Sequence, residues 1–281
     1  MRDNISIDVR GVLLDLDGTL AVGSPNGSGY TLLPGVMEFV EHLRANKLPV
    51  VVFTNGTANT PQRYVENLME AGLKIASSEM MTPSNVAAEY FVSNDFRTVL
   101  VLGGEGVSGP LTDAGLEVCR PGEGWTKNPG AVYIGWHPSF GWVDVKAAAE
   151  AVMAGVPYFV SSDVSFFYAS KGRTLGISGI LGAAVAKATG QLATVLGKPS
   201  VMAAGSAARR LRCAMAEMAI VGDDPNLEIE MARKSGAIGI GVTSGLSSRA
   251  MWAALTPDQQ PFLVIDRLDE LITDNLIQLK G

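Results

Sequence analysis

Residues 9–16 read Val-Arg-Gly-Val-Leu-Leu-Asp-Leu, an apolar run that does not alternate with polar residues. A strand of this kind buries both faces, which a parallel sheet covered by helices provides and a half-solvated antiparallel sheet does not. The residues that follow agree with that constraint. Residues 35–46 carry Val36, Phe39, Val40 and Leu43 at helical spacing behind Pro34, a helix-start pattern. Residues 49–53 are a second buried run, and residues 61–71 read as another helix, stopped by Gly72. Strand, helix and strand in this order make the βαβ unit of a parallel sheet.

The same order returns late in the chain. Residues 218–221 and 238–242 read as strands around a helical stretch at 226–235, and residues 262–265 as a last strand before a terminal helix. Between the two blocks, residues 98–102, 131–134 and 158–160 read as short strands, with a helix at 145–154. This middle block has its own rhythm and reads as a second α/β unit. A chain of 281 residues is long enough for two domains.

Charge and cysteine usage narrow the partners. The net charge of −6 is spread without a basic block, which argues against nucleic acid and anionic membrane. Cys119 and Cys213 stand alone, without metal-ligand spacing, as a reducing compartment permits. The longest uncharged apolar run, residues 174–186, has 13 residues, too few to cross a bilayer. The first residues lack the apolar stretch of a signal peptide. The expectation is a soluble cytoplasmic protein with a small-molecule partner; homo-oligomers are left open.

Ligands of open parallel sheets bind beyond the carboxyl ends of the strands. Three polar clusters fall there: Asp15-Leu16-Asp17-Gly18-Thr19, Thr54-Asn55-Gly56 and Gly222-Asp223-Asp224. Asp15 and Asp17 are two apart, so both carboxylates can point the same way at a strand end. One can attack as an anion while the other, its proton held by the neighbouring charge, serves as an acid. Thr54 and Asn55 can offer a hydroxyl and backbone N–H groups to a phosphate, or can simply form an Asn-Gly turn. Lys198 can supply a fixed positive charge or be a solvated lysine. Asp223 suits Mg²⁺ as a hard oxygen donor, and Asp224 reads as a helix cap or an outer group.

In order along the chain, Asp15-Leu-Asp17-Gly-Thr19, Thr54-Asn55, Lys198 and Gly222-Asp223 resemble the four motifs of the haloacid dehalogenase (HAD) superfamily. The long interval between Thr54 and Lys198, Gly197-Lys198-Pro199-Ser200 and the Gly239–Gly245 run are similar to its NagD-like, p-nitrophenylphosphatase-type branch. The resemblance implies an α/β fold with a Rossmann-like parallel-sheet core (1–82 and 190–281) and an inserted α/β cap (83–189). It implies a Mg²⁺-dependent phosphatase that acts on a small phosphorylated metabolite through an aspartyl phosphate. Asp15 would be nucleophile and metal ligand. Asp17 would be the acid/base, with its carbonyl also on the metal. Thr54 and Asn55 would bind phosphate, Lys198 would steady nucleophile and phosphate, and Asp223 would bind Mg²⁺.

Three positions depart from the family pattern. Glu228 stands where a shorter Asp is frequent and belongs either to the metal's outer shell, as Asp224 could, or to a helix N-terminus. Asn226 replaces another frequent Asp. Ser161-Ser162-Asp163 replaces the cap's Asn-Pro-Asp, leaving Ser162, Asp163 and Arg173 as candidate substrate contacts. The competing functions are a phosphate-binding protein that has lost turnover and a phosphotransferase. Gly103-Gly-Glu-Gly106 reads as a turn, residues 239–245 as a loop near the site, and Trp125, Trp136 and Trp142 as packed within the cap or, for one of them, as lining a substrate face.

Overall fold

The structure is a computed structural model that describes residues 7–23, 29–122, 128–137, 139–169, 172–273 and 277–279. The side chains of Ile7 and of residues 167–169, 172–174 and 277–279 lie outside that description, as does Trp125. Two main sheets are built from β1 (Gly11–Asp15), β2 (Val50–Phe53), β3 (Met80–Met81), β4 (Thr98–Leu102), β5 (Glu117–Cys119), β6 (Ala131–Ile134), β7 (Tyr158–Val160), β8 (Thr194–Val195), β9 (Met218–Gly222), β10 (Ile238–Val242) and β11 (Leu263–Ile265). The chain divides into two compact units. One comprises residues 1–54, 65–81 and 199–281; the other comprises residues 55–64 and 82–198.

In the first unit six parallel strands lie in the order β11-β10-β9-β1-β2-β3. β1 lies inside the sheet, and all five of its residues are buried. Helix Val201–Leu211 packs on it so closely that a Cβ at Gly11 would lie 2.9 Å from Leu211 Cβ. The expected single strand at 9–16 is in fact two. Ile7–Val9 pairs with Ile277–Leu279, and β1 begins only at Gly11. Arg10 causes the break: its charged side chain stays exposed while its N–H donates to the Glu217 carbonyl at 2.8 Å. The expected helix at 226–235 also divides, into a π-type turn at Pro225–Ile229 and an α-helix at Glu230–Ser235.

The second unit has a parallel five-stranded sheet in the order β8-β7-β6-β4-β5. Because β8 pairs with β7, residues 190–198 go with this unit. Leu100, Leu102, Val132, Ile134 and Val160 pack with Leu181 and Val185 of helix Ile177–Thr189. Phe91 packs edge-on against Phe159, with ring centroids 5.0 Å apart, and against Tyr133. Burial pushes the Tyr133 phenol well above its ordinary pKa, and the Ser84 hydroxyl beside it offsets only part of that shift. Helices Pro83–Ser93 and Glu105–Asp113 were not expected from the sequence. Trp142 does not pack: it opens helix Trp142–Met153 and is 75% exposed. Among the described residues no helix is long and apolar enough to cross a membrane.

Candidate active site

In the first unit the expected clusters meet because their strands are neighbours. Asp15 pairs with Phe53 of β2, and Leu14 pairs with Val221 of β9. Thr54 and Asp223, which follow those two strands closely, therefore flank the end of β1. Asp15 is 6% exposed and Asp223 8%. Two carboxylates this deeply buried need a compensating partner.

Beyond β1 the chain turns within a few residues. The N–H groups of Leu20 and Ala21 both donate to the Leu16 carbonyl, and Gly18 adopts φ +86. Leu16 is buried, whereas Asp17 is exposed and accepts a hydrogen bond from the Thr54 hydroxyl at Oδ2, 3.2 Å away. Thr54 itself is buried. The two aspartates of the motif thus occupy different surroundings: Asp15 is enclosed, and Asp17 is accessible and oriented by a hydroxyl.

Asp223 sits in a cradle of glycines. A Cβ on Gly18 would overlap its Oδ2 and lie 3.0 Å from Gly245 Cα. A Cβ on Gly245 would overlap the same oxygen and lie 2.7 Å from Asp223 Cγ. The Leu246 N–H donates to Asp223 Oδ2 at 2.6 Å, and the Ser244 hydroxyl donates to the Gly18 carbonyl at 2.8 Å. The loop after β10 is therefore fastened both to the motif turn and to Asp223. Sequence reasoning put this loop near the site from its glycines but missed Ser244 and the Leu246 N–H. A serine hydroxyl and a backbone N–H carry no signal of their own in a sequence.

Asp224 caps the turn that follows, its Oδ1 accepting from the Asn226 N–H at 2.8 Å. Glu228 is 2% exposed and lies against Gly222, and its Oε2 accepts from the Asp224 N–H at 3.1 Å. Its carboxylate is held under the end of β9, beside the peptide that carries Asp223.

The donors fit a hard divalent cation. Among the described residues no group of three His, Cys, Asp or Glu side chains is arranged to hold a metal. The set implied by the motifs has only two carboxylates, Asp15 and Asp223, with the Asp17 carbonyl. Mg²⁺ accepts such a set because it binds through one or two carboxylates and keeps several waters. The glycine cradle, which any side chain would fill, makes the room for one of those carboxylates.

The second unit holds the other two residues of the motifs. Lys198 is 2% exposed, and its backbone bonds to the Asn55 side chain. Of the candidate cap contacts, Ser162 is buried, its hydroxyl accepting from the Val164 N–H and its carbonyl from the Ser178 hydroxyl. These bonds anchor its own loop. Asp163 beside it is exposed. Arg173 lies on strand Gly172–Leu175, and its side chain is outside the described residues.

Comparison with known proteins agrees with the geometry. Residues 12–117 match the family described as haloacid dehalogenase-like hydrolase, and residues 195–271 match a HAD-hydrolase-like family. An acid sugar phosphatase of Staphylococcus haemolyticus is 26% identical over 94% of this chain and 96% of its own length. The glycerol phosphate phosphatase of Mycobacterium tuberculosis, solved in complex with magnesium, is 25% identical with a TM-score of 0.82, over 94% of this chain and 76% of that one. NagD from Escherichia coli K-12 shares the fold, with a TM-score of 0.82 at 23% identity, over 94% of this chain and 98% of that one. The two family matches bracket the motif turn, Thr54 and the Asp223 cradle, and the chain belongs to the haloacid dehalogenase superfamily as one of its phosphatase-type hydrolases.

Proposed function

We propose that this phosphatase is Mg²⁺-dependent and hydrolyses a small phosphomonoester, with a sugar phosphate as the first candidate, through an aspartyl phosphate on Asp15. The observation that carries the reading is the division of labour between Asp15, enclosed at the end of β1, and Asp17, exposed and hydrogen-bonded by Thr54. The Asp15 carboxylate attacks phosphorus, and the ester oxygen leaves with a proton from Asp17. Asp17 then takes a proton from water, whose oxygen attacks the same phosphorus, releasing inorganic phosphate and restoring Asp15. Thr54 fixes the direction of the Asp17 carboxyl through both halves. Lys198 offsets charge on the phosphoryl oxygens.

Mg²⁺ would be held by the carboxylates of Asp15 and Asp223 and the Asp17 carbonyl, and when bound it neutralises the two anions that must approach each other. Support for the substrate class comes from the relatives named as sugar and glycerol phosphate phosphatases. Asp163 and Arg173 are the cap residues proposed to meet the rest of the substrate.

The test is release of inorganic phosphate from p-nitrophenyl phosphate and a panel of sugar and polyol phosphates, with Mg²⁺ and with a chelator. Turnover that disappears with the chelator and returns with Mg²⁺ is the expected result. Absence of release across the panel in the presence of Mg²⁺ would overturn the proposal.

A further inference from the structure

Lys198 is buried, and one side chain grips its backbone at both the N–H and the C=O. The Lys198 N–H donates to Asn55 Oδ1 at 2.8 Å, and Asn55 Nδ2 donates to the Lys198 carbonyl at 3.1 Å. A primary amide that takes both the N–H and the C=O of one residue imitates the pairing of two strands, and it fixes the two peptide planes on either side of the Lys198 Cα. The approach needs glycine at 197. A Cβ there would lie 2.5 Å from Asn55 Oδ1 and 3.0 Å from Pro83 Cγ, and would overlap the Ser161 carbonyl.

The loop that carries Asn55 is held in turn. Thr57 is buried, and its hydroxyl accepts from the Trp136 N–H at 2.9 Å. The Thr57 carbonyl would lie 2.5 Å from a Cβ on Gly106, so helix Glu105–Asp113 closes directly on the loop. Asn55 is thus a rigidly mounted group with both ends of its amide committed to Lys198. That is poor design for a phosphate ligand and good design for a clamp.

We propose that Asn55 is a positioning residue which aims the Lys198 ammonium, and that its side chain is not a phosphate ligand. The inference rests on the phosphatase reading for its kinetic consequence and on hydrogen bonds alone for the clamp. Loss of the amide lets the Lys198 peptide shift while the lysine itself remains. Its signature is a fall in kcat with little change in KM, and silence once Lys198 is gone, since residues that act through one another are not additive.

The experiment is a double-mutant cycle of Asn55→Ala and Lys198→Ala on p-nitrophenyl phosphate with saturating Mg²⁺, with thermal melts to establish folding. Asn55→Ala alone should lower kcat by about ten- to a hundredfold, the scale of a misplacement of about 1 Å. In the Lys198→Ala background it should change kcat by less than about threefold. An equal loss in both backgrounds, or a loss confined to KM, overturns the proposal. Where Asn55→Ala does not fold, Asn55→Asp replaces it: the carboxylate keeps the bond from the Lys198 N–H but repels the Lys198 carbonyl, and the same two outcomes decide. Amide exchange at Lys198 provides an arm independent of turnover. Faster exchange in the Asn55 variant than in wild type is expected, and unchanged exchange overturns the clamp even if the phosphatase reading has failed.

Discussion

Gly245→Ala is the sharpest perturbation available. The added methyl would lie 2.7 Å from Asp223 Cγ and 2.8 Å from Gly18 Cα, and it would overlap Asp223 Oδ2. Neither neighbour can step aside cheaply. Gly18 is backbone, tied through its carbonyl to the Ser244 hydroxyl, and Asp223 Oδ2 is bonded to the Leu246 N–H. Overpacking of this kind costs about 1–3 kcal/mol. For a folding unit of this size each kcal/mol moves the melting temperature by roughly 2–4 °C, so a fall of about 2–12 °C is expected. The Asp223 carboxylate is the part that must give way, so half-saturating Mg²⁺ should rise as well. Gly23→Ala is the control, because a Cβ there meets nothing within 4 Å. Melts and Mg²⁺ titrations of the three proteins check the reasoning. A Gly245→Ala protein with wild-type melting and Mg²⁺ dependence would refute the cradle.

Three other outcomes follow from the same site. Asp15→Asn should remove turnover by several orders of magnitude while the melt stays intact, because the amide loses the attacking charge; a substantial residual rate in a phosphate-release assay would exclude Asp15 as nucleophile. Asp17→Asn should slow the first half-reaction much less on substrates with good leaving groups, and equal losses across leaving groups in single-turnover assays would argue against the acid role. Glu228→Gln keeps an oxygen that can accept from the Asp224 N–H but removes a buried charge beside Asp223, so half-saturating Mg²⁺ should rise several-fold. If only a stability loss of about 0.3–1 kcal/mol is found, Glu228 serves the start of its helix and not the metal.

How much of this was legible in the sequence depended on the range of the interaction. Strands buried on both faces declared themselves, since β4, β6, β7 and β10 need an unbroken apolar run and little else. Helices were harder where packing overrides propensity. Gly103-Gly-Glu-Gly106 reads as a turn, yet helix Glu105–Asp113 begins within it, and the close approach of residues 57–59 requires a small residue at its first turn. Arg10 split the first strand because a charge inside an apolar run can be read as tolerated or as a boundary, and only its bond to Glu217 decides. In the site, the meeting of Asp15, Asp17 and Asp223 was legible because each ends or closely follows a buried apolar strand of one parallel sheet. The clasp between Asn55 and Lys198 was not, since nothing local in a sequence couples residues 143 positions apart.

The neighbours of β1 in its sheet also set a timetable for synthesis. On one side it pairs with β2, which follows within a few dozen residues; on the other it pairs with β9, about 200 residues later. At ribosomal speeds of about 5–20 residues per second, that edge waits on the order of ten to forty seconds with its N–H and C=O groups unpaired. Within the same interval residues 82–198 emerge with a complete five-stranded sheet of their own. The nascent chain therefore carries the open edge of an apolar strand while a later segment can already fold. Such edges template pairing with other chains, so the period before β9 leaves the ribosome is when this protein most needs a chaperone's cover.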